Sequence, residues 1–362
     1  MERFVPPFCP NPACRFHREA NALWRYVRAG WFTRHARPHR IQRFQCRHCR
    51  RHFSSQTFSS TYWLRHPERL LPVAHRLLGG SALRQVAREF GASPQAIANL
   101  ATRLGRHCLL AHLELAPRGP LREPLALDSF ISFEFSQFFP VAFHLAAGRA
   151  SHFFYGFSDS ELRRSGRMTH RQKRRRAQLE ARLGRPDPRS VEREVAALLA
   201  LLAPEPQHLT LHTDEHSDYP RALRRLHHLH VDHRTVSSRA ARTSRNPLFE
   251  VNLLDLLLRH CGANHRRETI AFSRRRQGAA ERLWLFLFWR NYVKHFSERA
   301  RDGTPAMRLG LLARPLALDE ALGRRRFATR VAIPERWRRY YDRAVHTRAY
   351  PREDPCHRRF VA

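Results

Sequence analysis

Acidic residues are scarce in this chain, and lysine is scarcer still. Against 66 Lys+Arg stand 31 Asp+Glu, and Lys173 and Lys294 are the only lysines among the bases. Long apolar runs are missing too. The longest, VAALLALLA from Val195, covers nine residues, less than half of a membrane span. This argues against a transmembrane helix and leaves an anionic membrane as the weaker partner. The opening MERFVPPFCP does not read as a signal peptide. Cysteine is limited to 7 positions, an odd number, with Cys108, Cys261 and Cys356 scattered and the other four in two close pairs. That pattern speaks for a metal site rather than a disulfide framework.

What is present points to a folded chain with a polyanionic partner. A length of 362 residues predicts two or three domains, and 42% apolar residues suffice for a real core. The net charge of +35 favours nucleic acid. Arginine forks onto phosphates and guanine edges in a way lysine does not.

The paired cysteines are Cys9 and Cys14 in FCPNPACRFH, and Cys46 and Cys49 in RFQCRHC. Two such turns can close a four-thiolate zinc site, with a basic and aromatic β-hairpin between them. His17, at ligand spacing from Cys14, is the substitute for one thiol. Residues 1–61 are therefore read as a zinc ribbon. Residues 62–116 turn helical: Leu83, Val86, Ala87 and Phe90 follow a 3.6-residue period, Gly91 makes a turn, and Ser93 caps a helix with Pro94 at its first position. This is a helix-turn-helix layout whose second helix, from Pro94 to about Arg106, would enter a major groove. Arg84, Gln95, Asn99, Arg103 and Arg106 are its candidate DNA contacts.

After the linker APRGPLREP come three strand candidates (LALDSFISFEF, FPVAFHLAAG, HFFYGFSDS), a basic helix, the buried helix SVEREVAALLALLA, and strands HLTLHTDE and LHHLHVDH. A helix then begins near Leu248. This order predicts an α/β fold with an RNase H-like core over 117–310 and leaves a basic C-terminal tail over 311–362. Asp128 lies inside the first strand of that core and Asp214 ends the fourth. A bare Asp in an apolar strand is costly, and the first and fourth strands of such a sheet are neighbours. Two facing carboxylates become useful as ligands for Mg²⁺ beside a phosphodiester.

With the cysteine pairs and FSSQTF, LALDSF, LHTDEHSDYPRAL and FEVNLLDLLLRHCGANHRRETIAFSRR in view, residues 8 to 312 resemble the DDE transposases of short bacterial insertion sequences. The resemblance implies metal-dependent strand cleavage and strand transfer, binding of the element's terminal repeats and target DNA, action as a homo-oligomer, and a cytoplasmic, nucleoid-associated location. It also implies a third acid. Matching Arg259, Arg267 and Thr269 to the family's Arg and RKT-x-x-FS element puts Asn252 where a catalytic Glu is expected and Asp255 where Asn is expected. Asn252, Asp255 and Arg259 share a helix face at i, i+3 and i+7, so Asp255 is the leading third acid. Leu253, Leu256 and Leu257 would form the apolar face beside it. Glu250 is the alternative, and Glu281 a weaker one. Asp255 and Arg259 also suit a plain i, i+4 ion pair. Glu215 and Asp218 read as solvated loop acids or supports of the site, and HRQKRRR and FSRRRQ as solvated faces or phosphate contacts.

Two rivals remain: a catalytically inert, transposase-derived DNA-binding regulator, and a structure-selective nuclease that cuts without joining. All three readings predict steeply salt-dependent DNA binding, because arginine–phosphate contacts release counterions. An affinity that barely moves between low and physiological salt contradicts a phosphate-clamping role for the +35 charge.

Overall fold

The basic and aromatic stretch between the cysteine pairs forms a hairpin. β1 (Tyr26–Thr33) pairs antiparallel with β2 (Arg40–Cys46), and β3 (His52–Ser54) extends the sheet on the β2 side. Phe44, Cys46 and Phe53 turn inward and meet Phe16, Trp24 and Phe58 in a small separate core. The computed structural model describes residues 4–266 and 269–350; Arg267 of the RET element and Cys356 lie outside the described residues.

Three helices follow. α1 (Leu70–Leu78) stops at the Gly79–Gly80 pair, where Gly80 takes a φ of +82°. α2 (Leu83–Glu89) leads to Gly91 at φ +54°. The Ser93 side chain then accepts from the Ala96 N–H and starts α3, with Pro94 at its first position (Pro94–Leu115). α3 does not stop near Arg106. Gly105 is accommodated within it, no proline follows until Pro117, and His107 through His112 are all buried. A helix apolar all round belongs inside a core, and α3 packs along α8.

The second sheet is mixed. β4 (Leu125–Phe133), β5 (Pro140–Gly148) and β6 (Phe154–Glu161) form an antiparallel meander. α4 (His170–Leu183) buries none of its residues, as its HRQKRRR sequence suggests. α5 (Ser190–Leu202) packs Val195, Leu198 and Leu199 into the core beneath β6. β7 (Gln207–Asp214) then returns beside β4, parallel to it. After the short α6 (Asp218–Leu223), β8 (Leu229–Val236) closes the order β6-β5-β4-β7-β8. α7 (Phe249–Cys261) lies against β4 and β5, and α8 (Arg276–Tyr292) against β6.

Residues 311–350, expected as part of a basic tail, pack onto the body of the fold. After α9 (Pro305–Arg308), α10 (Leu318–Gly323) and α11 (Glu335–Tyr341) continue the body, with Trp337, Tyr340 and Val345 buried in the main core. Between the last two helices the chain reaches back to the N-terminal sheet. Ser59 and Arg324 form a β-bridge, the Arg325 N–H donates to the Phe58 carbonyl at 2.7 Å, and Phe327 packs on Phe8 and Phe58.

Of the FSRRRQ run, Arg276 is neither a solvated nor a phosphate-binding residue. It is buried and donates to Glu134, Asp159 and Glu161 at 3.1, 2.9 and 2.6 Å. Thr347 and Tyr340 complete the cluster by donating to Glu134 and Asp159.

α3 and α8 approach closely at Gly105. A Cβ there would stand 2.3 Å from the Glu281 carbonyl oxygen. Helix propensity alone would make Gly105→Ala stabilising by about 1 kcal/mol. The predicted outcome is the opposite, a loss of roughly 2 kcal/mol or more from overpacking, read as a lowered midpoint in denaturant unfolding. A stabilised variant contradicts the close contact.

Candidate functional site

The four paired cysteines converge. Their sulfurs lie within 4.8 Å of one another, and Cys9, Cys14 and Cys46 are buried. Cys9 Sγ and Cys49 Sγ stand 3.6 Å apart, close to the edge of about 3.8 Å expected of a tetrahedron with Zn–S bonds of about 2.3 Å. Burial raises the Cys9 and Cys14 thiols. Burial also raises Cys46, but the Cys49 N–H and the Trp24 indole N–H, which donates to its sulfur at 3.4 Å, outweigh it and bring Cys46 down to about 7. Four crowded thiols with N–H donors fit a dication that would hold them as thiolates. The cluster could therefore bind a metal such as zinc. His17 is not a fourth ligand. Its Nδ1 meets the Cys9 carbonyl at 2.8 Å and its Nε2 the Thr329 hydroxyl at 2.7 Å.

A second site forms at the strand ends. The parallel register pairs Leu125 with Leu211 and Ala126 with His212. Continuing along both strands brings Asp128 opposite Asp214, on the face covered by α7. The paired stretch ends two residues before these acids, yet both line one cavity and the Asp214 charge acts on Asp128. Burial pushes the Asp128 carboxyl up and the Asp214 charge adds to it, against the Ser129 N–H that donates to Oδ1 at 2.7 Å. Asp214 Oδ1 accepts from the His216 N–H at 2.9 Å, a turn that ends β7 and fixes the carboxylate.

Asp128 and Asp214 line one cavity of about 550 Å³ together with Asn252, Asp255 and Arg259. The stripe expected on α7 is thus the one that faces the strand acids. Arg259 is held by its bond to the His265 carbonyl at 3.0 Å and by the Phe130 ring, 4.5 Å from its guanidinium carbon. The apolar face of α7 differs from expectation. Val251, Leu254 and Leu258 are buried, whereas Leu256 is 65% exposed. The core lies on the Leu254 side of Asp255, about 100° round the helix one way, and Leu256 is about 100° the other way.

Neither alternative acid reaches the cavity lining. Glu250 is buried and pairs with Arg149 at 3.7 Å. Glu281 is buried between α3 and the C-terminal segment, bonded to Thr102 at 2.8 Å and Arg343 at 2.9 Å. Asp218 is not solvated: it is buried at the start of α6, with Arg221 at 3.3 Å. Glu215 is exposed. Among the described residues, the cysteine quartet is the group of three or more ligand side chains that closes to within 4.8 Å. The three aspartates share a cavity without contracting to that distance.

The cavity also carries arginines the sequence did not single out. Arg164, Arg242 and Arg266 line it. They come from loops, where no periodicity marks a facing residue.

On the helical segment, Arg84 and Gln95 are exposed, and the Gln95 amide donates to Asn99 Oδ1 at 2.8 Å. Arg103 and Arg106 turn elsewhere. Arg103 donates to the Ser60 carbonyl at 3.0 Å and Arg106 stacks 4.2 Å above the Tyr341 ring. Both line, with Asn99, a groove between the 60–69 segment and the C-terminal residues.

No family model matches the chain, and no curated protein matches it. None of the described helices is long and apolar enough to cross a membrane.

Metal analysis of the reduced, purified full chain is predicted to give about one zinc per chain. Cys46→Ser should lose it and His17→Gln should keep it. A folded, reduced wild type without zinc, or a His17→Gln variant that loses it, contradicts this assignment.

Proposed function

We propose that the chain is a DDE-type transposase, which binds DNA ends and cuts and joins strands at the Asp128, Asp214 and Asp255 cavity. The observation that carries this reading is the β4–β7 register, which sets Asp128 against Asp214 beneath the Asp255 face of α7. A strand order of β6-β5-β4-β7-β8, an antiparallel meander continued by two parallel strands, supports an RNase H-like core. In that core the carboxylates of the first and fourth strands are available for metal.

The donor set suits a hard cation: three carboxylates at one opening, two of them on rigid strands. Magnesium bound there would supply Lewis-acid polarisation of the phosphodiester and of the attacking oxygen. The chain's own residues do the rest. Arg164, Arg242 and Arg266 ring the opening and orient a phosphate backbone that the three acids alone would repel. Arg259, braced by Phe130 and His265, presents a fixed guanidinium at the same opening. Water would be the nucleophile in cleavage and a DNA 3′-hydroxyl in strand transfer.

The turn at Gly91, the Ser93 cap and the exposed Arg84 and Gln95 support a helix-turn-helix over α2 and α3, with the start of α3 in a major groove. The cysteine module, read as a zinc ribbon, is braced on it through residues 324–330. Joining two ends of one element calls for at least a dimer on DNA. One observation favours the inert-regulator alternative: Asn252, not an acid, occupies the α7 position where the family resemblance expects Glu.

Cleavage of supercoiled DNA carrying candidate terminal repeats separates these readings. Wild type should nick it only with Mg²⁺ or Mn²⁺. Asp128→Ala, Asp214→Asn and Asp255→Asn should each lower the rate by on the order of a hundredfold or more while DNA binding persists, and Glu250→Gln should cleave normally. Normal cleavage by Asp128→Ala contradicts the proposal. Normal cleavage by Asp255→Asn with failure of Glu250→Gln reassigns the third acid.

A further inference from the structure

The groove beside α3 has features that duplex binding does not call for. Its volume is about 650 Å³, within the roughly 300–1,000 Å³ of sites that enclose small ligands. Its floor is apolar, with Leu64, Ile97 and Leu100. At its rim Trp63 is 81% exposed. Trp63 also sits at φ +62°, an unusual backbone state for a bulky residue and one that surroundings must hold. The backbone thus keeps an indole in water at the mouth of a groove.

The charge in this groove is unbalanced. Arg103 and Arg325 are half-buried and lie near enough to Arg106 to repel. Burial lowers the Arg103 and Arg325 guanidinium pKa values; Arg325 and Arg106 lower Arg103 further, while Tyr62 and Tyr341 oppose the shift at Arg325. Among the described residues no acidic side chain lines the groove. Arg326, also in the lining, is matched by Glu114 at 2.7 Å, whereas Arg103, held by the Ser60 carbonyl, and Arg325, over the Tyr62 ring, meet no carboxylate in the groove and keep charge that an incoming anion would neutralise. An anion with a planar apolar part satisfies both features. A duplex offers phosphates and base edges but keeps its base faces stacked inside. An unpaired strand offers phosphate and an open π-face together.

We propose that this groove binds a single-stranded DNA segment, one base stacking on Trp63 while its phosphates meet Arg103 and Arg325. The site is separate from the carboxylate cavity and stands whether or not that cavity cleaves DNA.

Fluorescence anisotropy with full-length protein, without divalent metal, tests it. The probes are a labelled oligothymidylate, an abasic strand of equal length, and a duplex. Trp63→Ala should weaken oligothymidylate binding about tenfold while duplex and abasic-strand affinities change less than about twofold. Trp63→Phe, which keeps a stacking face, should recover most of the loss. Trp63 is exposed, so a matching thermal unfolding curve should confirm an intact fold. The proposal is overturned if Trp63→Ala leaves oligothymidylate binding unchanged or weakens all three probes equally. It is equally overturned if polyglutamate displaces the oligothymidylate as well as unlabelled oligothymidylate does, since the groove would then be reading charge alone. Loss of cleavage with the Trp63 effect intact would leave this groove standing and count against the carboxylate site only.

Discussion

The parallel pairing of β4 with β7 is the contact on which the candidate carboxylate site depends. Parallel strands cannot be joined by a hairpin; they need a crossover, here the stretch through β5, β6, α4 and α5. That arrangement brings two acids far apart in sequence to the same level of one sheet. Strand side chains alternate between faces, so a slip of one residue would send one acid to the opposite face. Leu125, Ala126, Leu127 and Leu211, all buried, make such a slip costly. The apolar core therefore holds the two carboxyls near each other, and burial, with the Asp214 charge adding to it, raises the Asp128 pKa.

The body that holds this pair is tied together by polar contacts as well as apolar ones. Arg276 meets Glu134, the residue after β4, and Asp159 and Glu161 of β6, joining the sheet to the start of α8. Removing one partner of such a buried cluster leaves the others uncompensated, a loss of about 3–5 kcal/mol. α3 links the helical segment to this body. It passes Gly105 against the Glu281 backbone and buries His107 and His112, whose ring nitrogens bond to the Ala321 and Tyr155 carbonyls. The C-terminal segment then bridges back to the cysteine module through Arg324, Arg325 and Phe327. DNA held by α3 or in the groove beside it would be positioned relative to the strand acids by packed structure and not by a flexible linker.

Much of this was legible in the sequence because the signals were local. Close pairs of cysteines pointed to one cluster, alternating or continuous apolar runs marked the strands, and a lone Asp in LALDSF stood out against its surroundings. The shared face of Asn252, Asp255 and Arg259 followed from helical spacing. What could not be read depended on tertiary contacts. Arg276 in FSRRRQ looks like its neighbours, and only the carboxylates brought to it by β4 and β6 make it a core residue. The run of α3 past Arg106 and the packing of Leu318, Trp337, Tyr340 and Val345 into the core depend on partners distant in sequence. Leu256 and Leu254 are alike in type, and the placement of the sheet alone decides which is buried. Trp63 gave no signal, since an aromatic residue in a linker is ordinarily expected to be covered.

The central claim is that Asp128, Asp214 and Asp255 form one site for a divalent cation. Manganese binding followed by electron paramagnetic resonance, on zinc-loaded protein without DNA, tests it most directly because oxygen ligands suit Mn²⁺ and the cysteine cluster does not. The account predicts a bound-manganese signal in wild type that weakens sharply in Asp128→Asn, in Asp214→Asn and in Asp255→Asn, and persists in Glu250→Gln. Equal manganese binding by wild type and the three aspartate variants would contradict it.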